Sequence, residues 1–225
     1  MKILAIDTAL SNCSTAIWDD GEVLATNSFE LSKGHVEVLL PMIKNLVAKT
    51  GTKFTDLDMI AVTIGPGSFT GMRTGLSAAH GLGLALNIPV HGVTTLEAVA
   101  FSVFSQCNKE AINMPLFVVL ETKRADLYFQ QFTAGGLPQS EPIAVLPEAV
   151  IRLLPNSPIW LAGDACDRFL ASVPVNKIAN IKLATECRFP FPQHVAEIAS
   201  NRFDCAKIAK PLYIHPPAAK LAHFN

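Results

Sequence analysis

The sequence lacks the cysteine patterns that mark disulfide frameworks, metal centres and redox sites. Its five cysteines are odd in number and widely spaced, and they form no CxxC pair: Cys13, Cys107, Cys166, Cys187 and Cys205. Small disulfide-stabilised domains and CxxC zinc or redox sites use regularly spaced cysteines, so neither class is indicated. This cysteine usage fits a reduced, cytoplasmic compartment.

Charged residues and long apolar runs are also scarce. Only 16% of the 225 residues are charged, and the formal net charge is −1. We therefore expect no global attraction to nucleic acid or to an anionic membrane, and only poor RNA binding by the chain alone. The most apolar later segment, residues 76–90, is too short to cross a bilayer and is interrupted by His80 and Pro89. The opening residues, MKILAIDTA, predict a strand rather than a signal peptide.

Hydrophobic residues, in contrast, make up half of the chain, which is enough for a sizeable core. Their periodicity predicts the order strand, strand, strand, helix, strand, helix in residues 1–107 and again in residues 108–225. The expected helices are residues 36–48, 70–86 and 94–106 in the first part, and residues 147–154, 165–173 and 193–203 in the second. The repeated order predicts an α/β fold of two related lobes, and it leaves open a return of the final segment to the first lobe.

A glycine-rich segment, GPGSFTGMRTG at residues 65–75, invites comparison with phosphate-binding loops. A Walker loop needs a lysine directly after its last glycine, but here Met72 and Arg73 follow Gly71. The GxGxxG spacing of dinucleotide-binding loops is absent too. Free backbone N–H groups at a helix start can still accept an anion, so a weak phosphate contact at Gly65 and Gly67 remains open.

The same segment continues as a stripe of small residues at four-residue intervals: Gly67, Gly71, Gly75, Ala79 and Gly83. On a helix these positions share one slowly drifting face. Glycine costs about 1 kcal/mol relative to alanine inside a helix, so a close approach by another backbone is expected to offset the cost. That backbone belongs either to the chain's own lobe or to a partner subunit, and both explanations stay open.

Two further positions are candidate sites. Asp7 and Thr8 follow the first predicted strand, where a carboxylate can hold Mg²⁺ or a water molecule, or simply form an Asx turn. His35 opens a predicted helix, but Leu39 stands one turn later, where a second metal-ligating histidine would be needed. We therefore expect no metal site.

The motifs ILAIDTA at residues 3–9, GHVEVLLP at residues 34–41 and GPGSFTGMRTG at residues 65–75 resemble the bacterial TsaB (YeaZ) family over nearly the whole chain. Two family motifs of the second lobe are altered. ETKRADLY at residues 121–128 resembles D-A-R-x-G-E-V-Y with several changes, and KPLYIHP at residues 210–216 resembles P-x-Y-L-R with His215 in place of arginine.

The resemblance implies a two-lobed actin, hexokinase and Hsp70-like (ASKHA) fold with duplicated βββαβα lobes. It implies a non-catalytic subunit that activates the TsaD paralogue, with help from the ATPase TsaE, to make threonylcarbamoyladenosine at position 37 of tRNAs reading codons that begin with A. The chain is expected to form a homodimer when alone and to meet tRNA only through the complex.

The family's partner contacts correspond here to two helices and to the following residues: His35, Leu39, Ile43, Gly71, Arg73, Gly75, Ala79 and Gly83. Cofactors are not expected beyond a weak ATP or ADP contact at Asp7, Thr8, Gly65 and Gly67. The alternatives are a stand-alone enzyme of the same fold, either a small-molecule kinase or a metallopeptidase-like protein, and an ATP-binding module without turnover.

Overall fold

The computed structural model describes residues 1–31, 33–106, 113–202 and 209–215. Cys107, Cys205 and most of the predicted boundary at residues 108–115 lie outside these ranges, as does the expected end of the last helix at Phe203. Within them the chain forms two five-stranded mixed sheets with helices packed on their faces. The predicted α/β class is confirmed.

The first sheet starts with three consecutive antiparallel strands, in the predicted order. Its elements, in chain order, are β1 Lys2–Asp7, β2 Asn12–Asp19, β3 Glu22–Glu30, α1 His35–Lys49, β4 Met59–Thr63, α2 Phe69–Leu86, β5 Val90–Val93 and α3 Thr95–Gln106. The turn at Asp20 and Gly21 has positive φ at both residues, as a tight hairpin requires. β4 and β5 continue the sheet in parallel from β1, which gives the strand order β3-β2-β1-β4-β5.

The second sheet repeats this topology. Its elements are β6 Leu116–Glu121, β7 Leu127–Phe132, β8 Ile143–Val145, α4 Pro147–Leu153, β9 Ile159–Ala162, α5 Cys166–Leu170, α6 Val175–Ile178, β10 Ile181–Leu183 and α7 Pro192–Ser200. The strand order β8-β7-β6-β9-β10 matches that of the first sheet position by position. Sequence periodicity missed α6 and β10, because both are short and largely exposed and carry little apolar pattern.

The lobes exchange their last helices. Leu96, Val99 and Val103 of α3 pack against the second sheet, although α3 follows the first sheet in the chain. Val195 and Ile198 of α7 pack in return against the first sheet. Each lobe therefore contributes a helix to the core of the other, and the two sheets are joined by shared apolar packing rather than by a linker.

A buried hydrogen bond joins the two exchanged helices. His194 Nδ1 of α7 lies 2.9 Å from Ser102 Oγ of α3, and Phe101 and Phe191 contact the imidazole edge-on. Burial lowers the pKa of His194, so the ring is held neutral between two aromatic side chains.

On the other face of the first sheet, α1 and α2 lie side by side. Leu39, Ile43 and Leu46 of α1 and Leu76 of α2 enter the same apolar cluster with β1 and β4. Pro41 lies inside α1 without ending it. The opposite faces of these two helices are left exposed, and their N-terminal ends point into the space between the lobes, where a cavity lies.

Candidate functional site

A cavity of about 960 Å³ lies between the two lobes. Four segments line it: residues 33–37 at the start of α1, residues 67–74 at the start of α2, residues 121–124 after β6, and residues 212–215 near the chain end. Leu10 and Ser11, which follow β1, and Asp164, which follows β9, line it too, so loops at the carboxyl ends of β1, β4, β6 and β9 meet at one cleft.

The glycine stripe does not face a partner. A side chain at Gly71 would overlap the carbonyl oxygen of Thr8, and one at Gly75 would overlap Thr8 Oγ1. A side chain at Gly67 would overlap the carbonyl oxygen of Ala9 in the same way, and one at Gly83 would overlap the Val90 side chain. The assignment of Gly71, Gly75, Ala79 and Gly83 to a partner interface is therefore wrong, since all four are buried. Of the two explanations that the sequence left open, packing inside the lobe is the one observed.

The buried face of α1 leads to the same correction. Leu39 and Ile43 are buried in the core of the first lobe and offer no surface to another chain. The exposed apolar residues of the two helices lie elsewhere: Val36 and Leu40 are 62% and 55% exposed on α1, and Leu84 is 86% exposed on α2. Gly81 lies on the exposed side of α2, where a side chain would meet only open space.

Asp7 and Thr8 serve the packing of the first lobe rather than the cavity. The Thr8 hydroxyl donates to the Gly71 carbonyl at 2.7 Å, which fastens the start of α2 to the end of β1. Asp7 Oδ1 accepts from Thr63 Oγ1 at 2.6 Å and from the Ala9 N–H at 3.1 Å, and the latter is an Asx turn. Both residues are fully buried, and neither lines the cavity.

The second oxygen of Asp7 has no hydrogen-bond partner among the described residues. Loss of solvation raises the pKa of this carboxyl to about 6, and the hydrogen bonds from Thr63 and Ala9 only partly oppose the effect. Asp164, across the cleft, raises it slightly further. Gly65 is buried as well, since a side chain there would overlap Met72 Sδ. Of the four residues expected to contact nucleotide, only Gly67 lines the cavity.

His35 lines the cavity, and its Nε2 lies 3.2 Å from the carbonyl oxygen of Leu10. This contact ties the start of α1 to the β1–β2 turn. Within the described residues no group of three histidine, cysteine or acidic side chains is arranged to hold a metal ion. The thiols of Cys13 and Cys166 are protonated at neutral pH, because burial raises their pKa to about 11 and about 12.

The altered second-lobe motif forms a tight hairpin that Arg168 of α5 holds in place. The guanidinium donates to Glu121 Oε1 at 2.9 Å and to the carbonyls of Arg124, Ala125 and Asp126 at 2.7–3.2 Å. Lys123 has φ 60, a left-handed conformation that is uncommon outside glycine. The cationic side chains of Lys123 and Arg124 are exposed at the cavity mouth as a result.

The segment 209–215 crosses from one lobe to the other. Its Leu212 N–H donates to the Ile64 carbonyl at 2.7 Å in the first lobe, and His215 Nε2 lies 3.2 Å from Asp126 Oδ2 in the second. Between them the Tyr213 hydroxyl accepts from Arg73 Nε at 3.0 Å, and its ring lies 5.6 Å from that of Phe69. Arg73, which sequence reasoning placed at a partner interface, therefore lies at the mouth of the cavity.

Comparisons with known proteins agree with this architecture. Residues 29–152 match the family model described as TsaD: tRNA N6-adenosine threonylcarbamoyltransferase. The tRNA threonylcarbamoyladenosine biosynthesis protein TsaB of Escherichia coli is 46% identical over 101 residues, which are 44% of this chain and 43% of that protein. The structure of YeaZ from Pseudomonas aeruginosa superposes with a TM-score of 0.79 at 21% identity and covers 94% of this chain and 99% of that one. The chain belongs to the TsaB (YeaZ) family.

Two other comparisons extend over most of the chain. An uncharacterized protein of Mycobacterium bovis is 32% identical over 97% of this chain and 93% of its own length. A polyphosphate/ATP-glucomannokinase from Arthrobacter superposes with a TM-score of 0.53 at 12% identity, covering 89% of this chain and 99% of that one, which shows the shared ASKHA-type fold alone. The matches to the first four TsaB relatives span only 43–60% of those proteins. Among the described residues, no helix is both long and apolar enough to cross a membrane.

Proposed function

We propose that the chain is a non-catalytic subunit that binds and activates a TsaD-like paralogue. The complex would add threonylcarbamoyl to adenosine 37 of tRNAs that read codons beginning with A, with help from a TsaE-like ATPase. The names of the relatives support the pathway, and the matching family model supports a paralogue with the same architecture as the partner.

The observation that carries the proposal is the exposed face shared by α1 and α2. Val36, Leu40 and Leu84 are all more than half exposed on these two adjacent helices. Gly81 lies one turn before Leu84 on α2 and offers a place where another backbone can approach closely. Apolar side chains around a small residue are what a helix pair from another subunit needs for close packing. The same face would serve a homodimer when the paralogue is absent.

The arrangement of reactive groups favours a scaffold over a stand-alone enzyme. Asp7, the residue best placed by sequence for Mg²⁺ or phosphate chemistry, is buried away from the cavity. His35 contacts a backbone carbonyl and has no ligand partner at Leu39. A weak ATP or ADP contact in the cavity remains part of the proposal, with Gly67 as the contributing residue from the glycine segment. In this arrangement tRNA reaches the chain only as part of the complex.

Replacement of Gly81 by leucine tests the docking face. The new side chain enters open space, and leucine is the better helix former by about 1 kcal/mol, so the isolated chain should keep its fold. Overpacking in the docked complex should weaken association by about 1–3 kcal/mol. Sedimentation of the mutant alone and with the TsaD-like paralogue measures association, and tRNA modification by the reconstituted complex measures function.

Gly135→Leu is the matched control, because Gly135 is also exposed and has ordinary backbone angles but lies in the second lobe. Gly81→Leu should lose association while Gly135→Leu retains it. Unimpaired assembly of the Gly81 mutant would refute this docking face. Metal-dependent kinase or peptidase turnover by the purified chain alone would instead favour the stand-alone enzyme, and ATP affinity without turnover would favour the binding module.

A further inference from the structure

The cavity mouth gathers positive charge from parts of the chain that are distant in sequence. Lys33 precedes α1, Arg73 lies in α2, and Lys123 and Arg124 lie in the second-lobe hairpin. All four side chains are exposed, and within the described residues no ion pair joins any of them to an acid. The whole chain is slightly acidic, so this concentration of cations is local.

The acids that line the same cavity offset little of this charge. Glu121 is paired with Arg168 at 2.9 Å. Asp164 is largely buried and accepts the Glu121 N–H at 2.9 Å. Glu37 is the one exposed carboxylate among the lining residues. The rim therefore presents a net positive field to an incoming ligand.

Aromatic rings stand among these cations. Phe69 is 51% exposed and Tyr213 is 42% exposed, and both line the cavity. The guanidinium of Arg73 lies 3.8 Å above the Phe69 ring and donates to the Tyr213 hydroxyl. This contact orders Arg73 and both rings into one stacked group, and it keeps Tyr213 at the rim although the segment that carries it crosses between lobes.

Exposed aromatic rings set among unpaired cations are the combination that binds single-stranded nucleic acid. Lysine and arginine neutralise phosphates, and flat rings or guanidinium planes stack on unpaired bases. Duplex RNA keeps its bases stacked, so it offers phosphates, 2′-hydroxyls and base edges but no free base faces. We propose that the rim formed by Lys33, Phe69, Arg73, Lys123, Arg124 and Tyr213, here called the cationic rim, contacts an unpaired stretch of RNA.

The small number of cations limits the affinity of the cationic rim for RNA. Four cations allow fewer phosphate contacts than the six to ten or so that give strongly salt-dependent binding, so the chain alone should bind weakly. The rim would act beside RNA-binding groups of the paralogue. Only the presence of the paralogue beside the rim rests on the proposed function, since every residue of the rim belongs to this chain.

The test uses a fluorescein-labelled single-stranded RNA of about ten nucleotides, a duplex of the same length, and ATP. Each is titrated at several salt concentrations between about 50 and about 200 mM, against the chain alone and against its complex with the TsaD-like paralogue. Lys123→Glu combined with Arg124→Glu should weaken single-strand binding by about tenfold and lower the salt slope by about 1.4. The control pair Lys53→Glu and Arg152→Glu makes the same charge change at exposed positions away from the rim and should stay within about twofold.

A second pair of variants tests stacking separately from charge. Tyr213→Ala should lose about tenfold in single-strand affinity, whereas Tyr213→Phe, which keeps the ring and loses the Arg73 contact, should lose much less. Equal weakening by the control pair, equal affinity for the duplex, or displacement of the RNA by stoichiometric ATP would each overturn the proposal. Sedimentation of the same variants reports assembly. If the complex forms normally and its RNA affinity is unchanged by the rim substitutions, RNA binding by the rim is refuted and the proposed function still stands.

Discussion

Replacement of Asp7 by asparagine should change the pH dependence of stability in a defined way. Burial raises the pKa of the carboxyl from 3.8 to about 6 in the folded protein. The folded state therefore binds more protons than the unfolded chain between about pH 4 and 6, and stability falls as pH rises through that window. The full effect of about 2.2 pKa units is about 3 kcal/mol.

The asparagine variant removes this titration while it keeps most of the local contacts. Its amide oxygen can still accept from Thr63 and Ala9, whereas its NH₂ group takes the place of the unpartnered Oδ2. Unsatisfied amide donors cost about 1–3 kcal/mol, but that cost is the same at every pH. The difference in unfolding free energy, mutant minus wild type, should therefore rise by about 1.4 kcal/mol between pH 5 and pH 8.

Urea denaturation of both proteins at several pH values measures this difference. Asp167→Asn is the control, because it makes the same substitution at a side chain that is 81% exposed. Parallel curves for wild type and Asp7→Asn would show that the buried carboxyl is solvated or paired in solution, and the description of Asp7 as a costly buried group would then be wrong.

Two more predictions follow from buried contacts. Gly75→Leu should lower the thermal midpoint, because the new side chain overlaps Thr8 Oγ1. Overpacking costs about 1–3 kcal/mol, and each kcal/mol lowers the midpoint by about 2–4 °C in a chain of this size. A midpoint at or above that of Gly81→Leu would contradict the observed packing. Burial lowers the pKa of His194, so its contribution to stability should be lost as pH falls below the unfolded-state value of about 6.5. His194→Gln should therefore flatten the curve of thermal midpoint against pH between pH 5.5 and 7.5. An unchanged curve would show that His194 is not held neutral.

The sequence was sufficient for the fold wherever periodicity and burial agree. The buried runs of β1 and β4 and the apolar stripe of α1 lie close to where the pattern predicted them. The helix exchange between the lobes was beyond such reasoning, since an apolar stripe on α3 or α7 shows that a face is buried but does not show which sheet covers it.

The glycine stripe shows the same limit at the candidate site. Four-residue spacing correctly signals a close backbone approach, but the approaching backbone is the end of β1, at Thr8 and Ala9, rather than a partner helix. Gly71, Gly75, Ala79 and Gly83 therefore lie on the buried side of a correctly predicted helix. Gly81 falls outside the stripe's spacing and lies on the exposed side of α2, as do Ser77 and Ala85, four residues before and after it.

The cationic rim was missed for a different reason. The expectation of poor RNA binding came from the net charge of the whole chain, whereas Lys33, Arg73, Lys123 and Tyr213 come from four segments and both lobes. The altered motif at residues 121–128 could have directed attention there, because it contains the adjacent cations Lys123 and Arg124.

Helix α2 carries the glycine stripe, the docking position Gly81 and Arg73 of the cationic rim. The close packing of Gly71 and Gly75 on Thr8 fixes the height of α2 above the sheet. An 18-residue helix is about 27 Å long, so Arg73 near its start and Gly81 near its end lie about 12 Å apart along the axis. That separation lets a partner pack at Gly81 while Arg73 stays at the cavity mouth. Because a helix is stiff over this length, any change that lifts α2 from β1 should displace the docking face and the cationic rim together, whereas a change confined to Gly81 should affect docking alone.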